Sequence, residues 1–457
     1  MFPNAASDLL KNERVQAIIG PVTSMQANFV INLGDHAQVP IISFSATSPS
    51  LSSLRSRYFI RATPNDSSQV KAISNLIQAF GWRAAVPIYA DTEFGEGIIP
   101  FLTDALQEVD AHIPYRSAIH PLATDDEIAA ELYKLQTMQT RVFIVHMPPP
   151  LATKVFTIAE DIEMMIEGYV WILTTGITNH LSLINNSPII SMQGILGVKP
   201  HVPRRKRLED FIIRWRKKAQ QDKIDSDLNI FGLWAYDAAT ALAIAVERVV
   251  LMNRKTLAVS HIGKDLPQAL SGTKFRGLGG DFNIVNSELQ SSSFQIVNVI
   301  GNVERGIGFW IPELGITKKL NFSNTKPVNS CKTNLKAIIW PGDTVSVPKG
   351  WVIPSNGKKL RIGVPVKTGA NAFVNVKRDP LTNSTMVTGY CIDVFHAVME
   401  KLPYHVPYDF IPFAGPNGET AGTYDDLVYQ VYIGVSNLSF LAFFNGKLFW
   451  ILTCIRL

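Results

Sequence analysis

Ser45, Ala46 and Thr47 follow the apolar run Val39-Pro40-Ile41-Ile42 and the pair Ser43-Phe44, and Ser48-Pro49 closes the stretch. Small hydroxyls at the carboxyl end of a buried strand, where a helix opens, can hold a carboxylate together with backbone N–H groups. The same residue types make ordinary N-caps, so a plain strand-to-helix cap accounts for them equally well. Other chemistry has less support. His36, His112, His120, His146, His180 and His201 are scattered without partners, and no nucleophile elbow or phosphate cradle occurs. Gly95-Glu96-Gly97 lacks both the lysine of a Walker loop and the three-glycine dinucleotide spacing, so it reads as a helix-entry turn. Cys331, Cys391 and Cys454 can form at most one disulfide and no metal site. These patterns predict no catalytic residue, no metal and no cofactor.

The elements that position the hydroxyl stretch alternate. Val15 to Gly20 reads as a buried strand turning through Gly20-Pro21-Val22-Thr23-Ser24 into a helix, and Val39 to Ser43 repeats the unit. Asp66-Ser67-Ser68-Gln69 reads as a capping box before a helix with Val70, Ile73, Leu76 and Phe80 on one side. Strands at 84–90, 113–117, 141–146, 169–173 and 194–198 alternate with helices, and Asn229 caps a long apolar helix to about Val250. Such alternation predicts an α/β fold, a parallel sheet with helices on both faces. Past Phe275 the pattern changes: Gly277, Gly279 and Gly280 lead into 282–286 and 294–299, which read as hairpin strands closing the domain.

At 457 residues the chain suffices for two or three domains. The 46% hydrophobic and 18% charged composition excludes a disordered chain and one dominated by membrane spans. A net charge of +5 is too mild to imply a nucleic-acid partner, and Arg204-Arg205-Lys206-Arg207 before an amphipathic helix with Phe211, Ile212 and Trp215 reads as a solvated face. Asn-X-Ser/Thr triplets at Asn65, Asn185, Asn321 and Asn383 permit glycosylation. Residues 320–359, rich in Asn, Ser, Pro, Lys and Gly, read as a linker crossing the surface, with a second domain over 360–434.

Several segments together resemble the plant glutamate receptor-like channels, relatives of the ionotropic glutamate receptors. They are Gly20-Pro21, Pro40 to Pro49, Ile230 to Ala238, Ile339-Trp340-Pro341-Gly342-Asp343 and Gly389-Tyr390-Cys391-Ile392-Asp393-Val394-Phe395, and the likeness runs from Val15 to about Gly434. It implies a bilobal, periplasmic-binding-protein-like (leucine-binding-protein-like) domain over 1–319, followed by the first part of a second such domain. It also implies the extracellular part of an amino-acid-gated, non-selective, calcium-permeable cation channel at the plasma membrane, with a small amino-acid ligand and other glutamate receptor-like subunits, in tetramers, as partners. By similarity to the bacterial binding proteins, Ser24, Ser45, Ala46 and Thr47 would lie at the carboxylate and ammonium site, with Phe94 as the covering aromatic. Thr175 stands where those relatives place an acidic partner for the ammonium, and offers only a neutral acceptor. A structural or assembly role therefore stands beside ligand binding.

The resemblance further implies truncation at both ends: the family's opening strands precede Val15, while its ligand-gripping arginine and pore helices follow Gly434. Met1 to Asp8 has neither a basic n-region nor an apolar h-region, so it does not read as a signal peptide. Residues 435–457 depart from the family, and Asn445-Gly446-Lys447 interrupts their apolar run, leaving pieces shorter than the roughly 20 residues of a membrane span. The hypothesis for this tail is intron read-through at Val435-Ser436, which genomic sequence without a splice donor there would contradict. The functional expectation is a receptor subunit, with a soluble amino-acid-binding or dominant-interfering module, or a non-functional gene-model fragment, as the alternatives.

Overall fold

How the short apolar strands sort between two sheets decides the architecture. A computed structural model describes residues 2–181, 191–222, 228–256, 262–290, 293–301, 303–320, 335–352, 360–366, 373–378, 385–401, 408–415, 417–432, 438–445 and 448–455. The chain divides into two compact units, Met1–Val352 and Ile353–Leu457. The triplets at Asn185 and Asn321, the asparagine of the Asn383 triplet, Cys331 and the tail's starting point at Val435 lie outside the described residues.

The first unit opens with α1 (Phe2–Lys11), β1 (Ile18–Ile19), α2 (Ser24–Ala37), β2 (Ile41–Ser43) and β3 (Phe59–Arg61). The chain then crosses to a second lobe: α3 (Val70–Phe80), β4 (Val86–Ala90), α4 (Glu93–Glu96), α5 (Ile99–Gln107), β5 (Ser117–Ile119), α6 (Asp125–Gln136), β6 (Val142–His146), α7 (Pro149–Asp161), β7 (Val170–Leu173), α8 (Thr175–Thr178) and β8 (Leu196–Pro200). It returns to the first lobe for α9 (Lys206–Gln221), α10 (Ile230–Thr256), α11 (Ile262–Ser271), β9 (Lys274–Arg276), β10 (Asp281–Val285) and β11 (Glu288–Leu289). A third crossing delivers β12 (Phe294–Ile300), β13 (Val303–Ile311) and β14 (Gly315–Thr317) to the second lobe.

Each lobe carries one sheet, in the order β1-β2-β3-β11-β10-β9 and β14-β13-β12-β8-β7-β6-β4-β5. Strands β4 to β8 are mutually parallel, as the alternation predicts, and their faces pack on helices from both sides, α3 and α5 on one and α6 and α7 on the other. The expected hairpin of 282–286 with 294–299 does not form. Strand β10 pairs with β9 and β11 in the first lobe, whereas β12 pairs antiparallel with β8 and β13 in the second. Both segments have strand character, but pairing is decided by which sheet has an open edge, and that information is not local.

The glycines at 277–280 answer a close approach. Buried Asp237 on α10 accepts the N–H groups of Leu278 (2.7 Å) and Gly279 (2.8 Å), and a Cβ on Gly277 would stand 2.4 Å from its Oδ2. Helix α10 has the length and apolarity of a membrane span over Ile230–Leu251, but here its Trp234, Ala238, Ala241, Ala245 and Val249 pack on Ile42, Ile60 and Phe282 of the first lobe.

The surface linker expected over 320–359 is not what residues 335–352 form. Trp340 is 1% exposed and meets Phe80 and Trp82 edge-on at 5.3 and 5.9 Å, while Trp82 Nε1 donates to the Pro348 carbonyl at 2.9 Å. A polar composition suggested a surface crossing, yet one large aromatic with a groove to fill outweighs it. The second unit holds β15 (Leu360–Pro365), β16 (Asn375–Arg378), β17 (Thr385–Thr388), α12 (Tyr390–Lys401), β18 (Tyr408–Phe413), α13 (Tyr424–Tyr432), β19 (Leu438–Asn445) and β20 (Leu448–Ile455), with a sheet ordered β18-β15-β19-β20 and Ile362, Val364, Cys391 and Ile392 buried.

Docking of the 335–352 segment is testable by denaturant unfolding. Trp340→Ala should lower the stability of the first unit by about 3–5 kcal/mol, whereas Trp351→Ala, at a side chain 45% exposed, should cost less than about 1 kcal/mol.

Candidate functional site

The rim of the first lobe is built where α2 and the chain after β2 begin. Thr23 caps α2 in a capping box with Gln26, which sets Ser24 at the first helical position. Ser24, 5% exposed, accepts the Ser48 N–H on its hydroxyl at 3.2 Å. Fully buried Ser43 donates to the Pro21 carbonyl (2.9 Å) and accepts the N–H groups of Ala46 (3.0 Å) and Ser45 (3.4 Å). Those two donors are therefore satisfied within the loop by a side chain, the cap arrangement of Ser and Thr. Ser45 turns its own hydroxyl to the Val22 carbonyl at 2.7 Å, and Ala46 is buried. Thr47 differs: its side chain is half-buried and its hydroxyl bonds to no described residue.

Across from this rim stand residues of the second lobe. Phe94, on α4, lies over the His146 ring at a centroid distance of 4.3 Å and comes within 3.1 Å of the Cβ position of Gly176. Its neighbour Glu93 reaches the first lobe, where its carboxylate accepts the Asn28 side-chain amide at 3.0 and 3.1 Å and the Ser50 hydroxyl at 3.0 Å. Ser48 adds a bond from its hydroxyl to the Glu93 carbonyl at 3.1 Å. Because α4 docks so closely, a Cβ on Gly97 would stand 2.5 Å from the Ser48 hydroxyl.

The sequence places no acid at Thr175, and the structure supplies one from elsewhere. Asp66, expected as the helix cap, is instead buried at 2% exposure, and Asn65 takes the cap by accepting the Ser67 N–H at 3.0 Å. That frees Asp66 to turn inward. Thr175 donates its hydroxyl to Asp66 Oδ1 at 3.1 Å, and Gln69 Nε2 donates to the same oxygen at 2.9 Å and to Thr175 Oγ1 at 2.9 Å. The Thr175 N–H meets Gln69 Oε1 at 2.7 Å. Asp66 Oδ2 is buried with no hydrogen-bond partner among the described residues and lies 4.0 Å from His146 Nε2. The Asp66 N–H donates to the Thr47 carbonyl at 3.0 Å, which ties the two backbones together.

Arg61, at the end of β3, is fully buried, with Glu288 Oε1 3.8 Å from its guanidinium and the Thr47 carbonyl accepting from it at 3.4 Å. Burial pulls its pKa down, while Glu288 and Asp66 push it up. Asn65 donates to Glu288 Oε2 at 3.3 Å and to Ser52 at 3.2 Å, so the Asn65 triplet has a structural role in the cap.

The structure thus brings Thr47, Asp66, Gln69 and Thr175 into one bonded group beside Phe94, and commits Ser24, Ser45 and Ala46 to internal bonds. Sequence reasoning missed Asp66, Gln69, His146 and Glu93 as site residues. The one signal for Asp66 was two possible caps in succession, Asn65 and Asp66, of which only one can serve. An acceptor without a donor, a free hydroxyl and an aromatic face suit a small molecule bearing an ammonium group.

Residues 2–302 match the receptor family ligand binding region. The chain is 52% identical over 447 residues to glutamate receptor 2.2 of Arabidopsis thaliana, covering 94% of this chain and 48% of that protein, and 52% identical over 447 residues to glutamate receptor 2.3 of the same plant, covering 94% and 50%. It spans about half the length of the curated relatives it matches. Among solved structures it is similar to a leucine-binding protein from Thermotoga maritima, with a TM-score of 0.57 and 16% identity over 68% of this chain and 84% of that one. A transporter substrate-binding protein from Desulfitobacterium hafniense in complex with leucine gives 0.52 and 17% over 67% and 84%. The fold is the bilobal periplasmic-binding-protein fold.

His146 makes the site sensitive to pH. Burial lowers its pKa below the ordinary 6.5, with Asp66 and the Phe94 carbonyl opposing. A buried base that resists protonation contributes stability above the unfolded pKa and loses it as pH falls. Unfolding titrations between about pH 7 and about pH 5 should therefore show stability falling by up to about 1.4 kcal/mol per pH unit from this group. His146→Gln should reduce that slope, leaving the contributions of half-buried His180 and His201, which are lowered in the same direction.

Proposed function

Because the chain belongs to the receptor ligand-binding-region family, with plant glutamate receptors as its curated relatives, we propose that its first unit is a clamshell that closes on a small amino acid. The observation that carries this reading is Asp66 Oδ2, a buried acceptor without a donor among the described residues, on a residue whose backbone N–H bonds the Thr47 carbonyl. The ammonium of an amino acid would donate to Asp66 Oδ2, Thr47 would bond its carboxylate, and Phe94 would cover it. Ser24, Ser45 and Ala46 shape the rim in this scheme by holding the loop, and Thr175 orients the Asp66 carboxylate.

At the level of the whole receptor, the reading is an extracellular region of a plasma-membrane, amino-acid-gated, non-selective and calcium-permeable cation channel, assembled with other glutamate receptor-like subunits, and not an enzyme. Residues 1–319 would be its amino-terminal ligand-binding domain and 360–434 the first segment of a second clamshell, with 435–457 outside the family pattern. Closure transmits a signal only if the ligand binds the closed arrangement better than the open one.

Calorimetric titration with the proteinogenic amino acids should give saturable binding by at least one of them. Asp66→Asn, which keeps the shape and removes the charge, should weaken it about ten- to a hundredfold, as expected for a hydrogen bond to a charged group. Thr47→Ala should weaken it about three- to tenfold, the scale of a neutral bond. No binding across the set, or binding untouched by Asp66→Asn, would overturn the reading.

A further inference from the structure

A second space between the lobes lies beside the crossing from β8 to α9, with a volume of about 490 Å3. One wall belongs to the second lobe: Thr178 and Asn179 after α8, Lys199 on β8, Gln295 on β12 and Glu304 on β13. The facing wall belongs to the first lobe and is mainly apolar, with Leu208 and Ile212 of α9 and Leu228, Ile230 and Leu233 around the start of α10, and it also carries Glu209 and Asn229. Arg204 lines it just before α9. None of Ser24, Ser45, Ala46, Thr47, Phe94 or Thr175 takes part.

Two groups in this lining bear on what it would hold. Glu304 pairs with Lys199 through Oε1, while its Oε2 is buried and has no donor among the described residues. Arg204 is exposed and has no hydrogen-bond or ion-pair partner among the described residues. A buried carboxylate oxygen without a donor carries a desolvation cost that a hydroxyl or N–H would relieve. A free guanidinium selects a carboxylate, which it can bind through two parallel bonds. Wholly polar molecules such as sugars would leave the aliphatic side chains of the first-lobe wall uncovered.

We infer that this cavity is a binding site for a small amphipathic carboxylic acid that also carries a hydroxyl or N–H donor. Its carboxylate sits on Arg204, its donor on Glu304 Oε2, and its apolar body against Ile212 and Leu233. The volume lies within the roughly 300–1,000 Å3 range of small-molecule sites. Because the walls come from both lobes, such a ligand binds best at one lobe spacing and so shifts closure of the molecule. The site does not depend on the amino-acid reading of the other one.

The test uses the whole chain and a matched pair of probes, 3-(4-hydroxyphenyl)propionate and 3-phenylpropionate, titrated calorimetrically. The hydroxylated acid should bind saturably and the other at least about tenfold more weakly, the scale of one bond to a charged group. Arg204→Gln should weaken both about tenfold. Ile212→Trp should fill the space and abolish both while leaving amino-acid titrations as they are in the unaltered chain. Absence of saturable binding by the unaltered chain would overturn the inference, as would equal affinity for the two probes or binding untouched by Arg204→Gln. Loss of probe binding in Thr47→Ala would overturn it too, by placing the probe at the other site. If Ile212→Trp does not fold, Arg204→Gln, at an exposed side chain, decides the matter.

Discussion

A single buried guanidinium holds the junction of the lobes. Arg61 ends β3, the last strand before the chain first leaves the first lobe, and it is fully buried. An uncompensated charge in such a place would cost several kcal/mol, so its surroundings are constrained. Glu288, its pairing residue on β11, lies just before the third crossing, and the Arg61 N–H meets the Ser287 carbonyl at 2.7 Å. The ion pair therefore fastens the first and third crossings together, although they are more than two hundred residues apart in sequence. The guanidinium also reaches the Thr47 carbonyl, which puts the site rim on the same support.

That support explains why the site's acid comes from position 66. Once Arg61 and Asn65 are fixed to Glu288 and Ser52, the turn at 66–69 begins with its cap already filled, and Asp66 can point only inward. Thr175 and Gln69 then hold one of its oxygens and leave the other bare. A carboxylate placed on the second lobe at position 175 would move with that lobe. One at 66 sits on the crossing itself, with its backbone N–H on the Thr47 carbonyl.

Periodicity revealed the alternation of β4 to β8 with their helices. That is a local signal. What sequence reading missed depends on residues far apart. Strands 281–285 and 294–300 are neighbours in sequence and belong to different sheets. Trp340 sits in a polar stretch and finishes in the core of the second lobe. Site legibility divides the same way: Thr47 and Phe94 were expected from the resemblance alone, whereas the bonds of Asp66 and Glu93 are made with partners that only folding brings near.

Polar contacts join the lobes at Glu93, and that bears on how the molecule works. Glu93 meets Asn28 and Ser50 on one flank, and His180 meets Phe231 at a ring distance of 4.9 Å on another. Bonds of this kind exchange with water at a net cost of only about 0.5–1.5 kcal/mol each. An interface of interlocked aliphatic side chains would hold the lobes closed against any ligand, because its burial energy grows with the area removed from water. In the clamshell proposed above, a latch of a few hydrogen bonds would leave open and closed arrangements near enough in free energy for a ligand of modest affinity to choose between them. The Arg61–Glu288 junction would then be the rigid element, and the Glu93 contact the adjustable one.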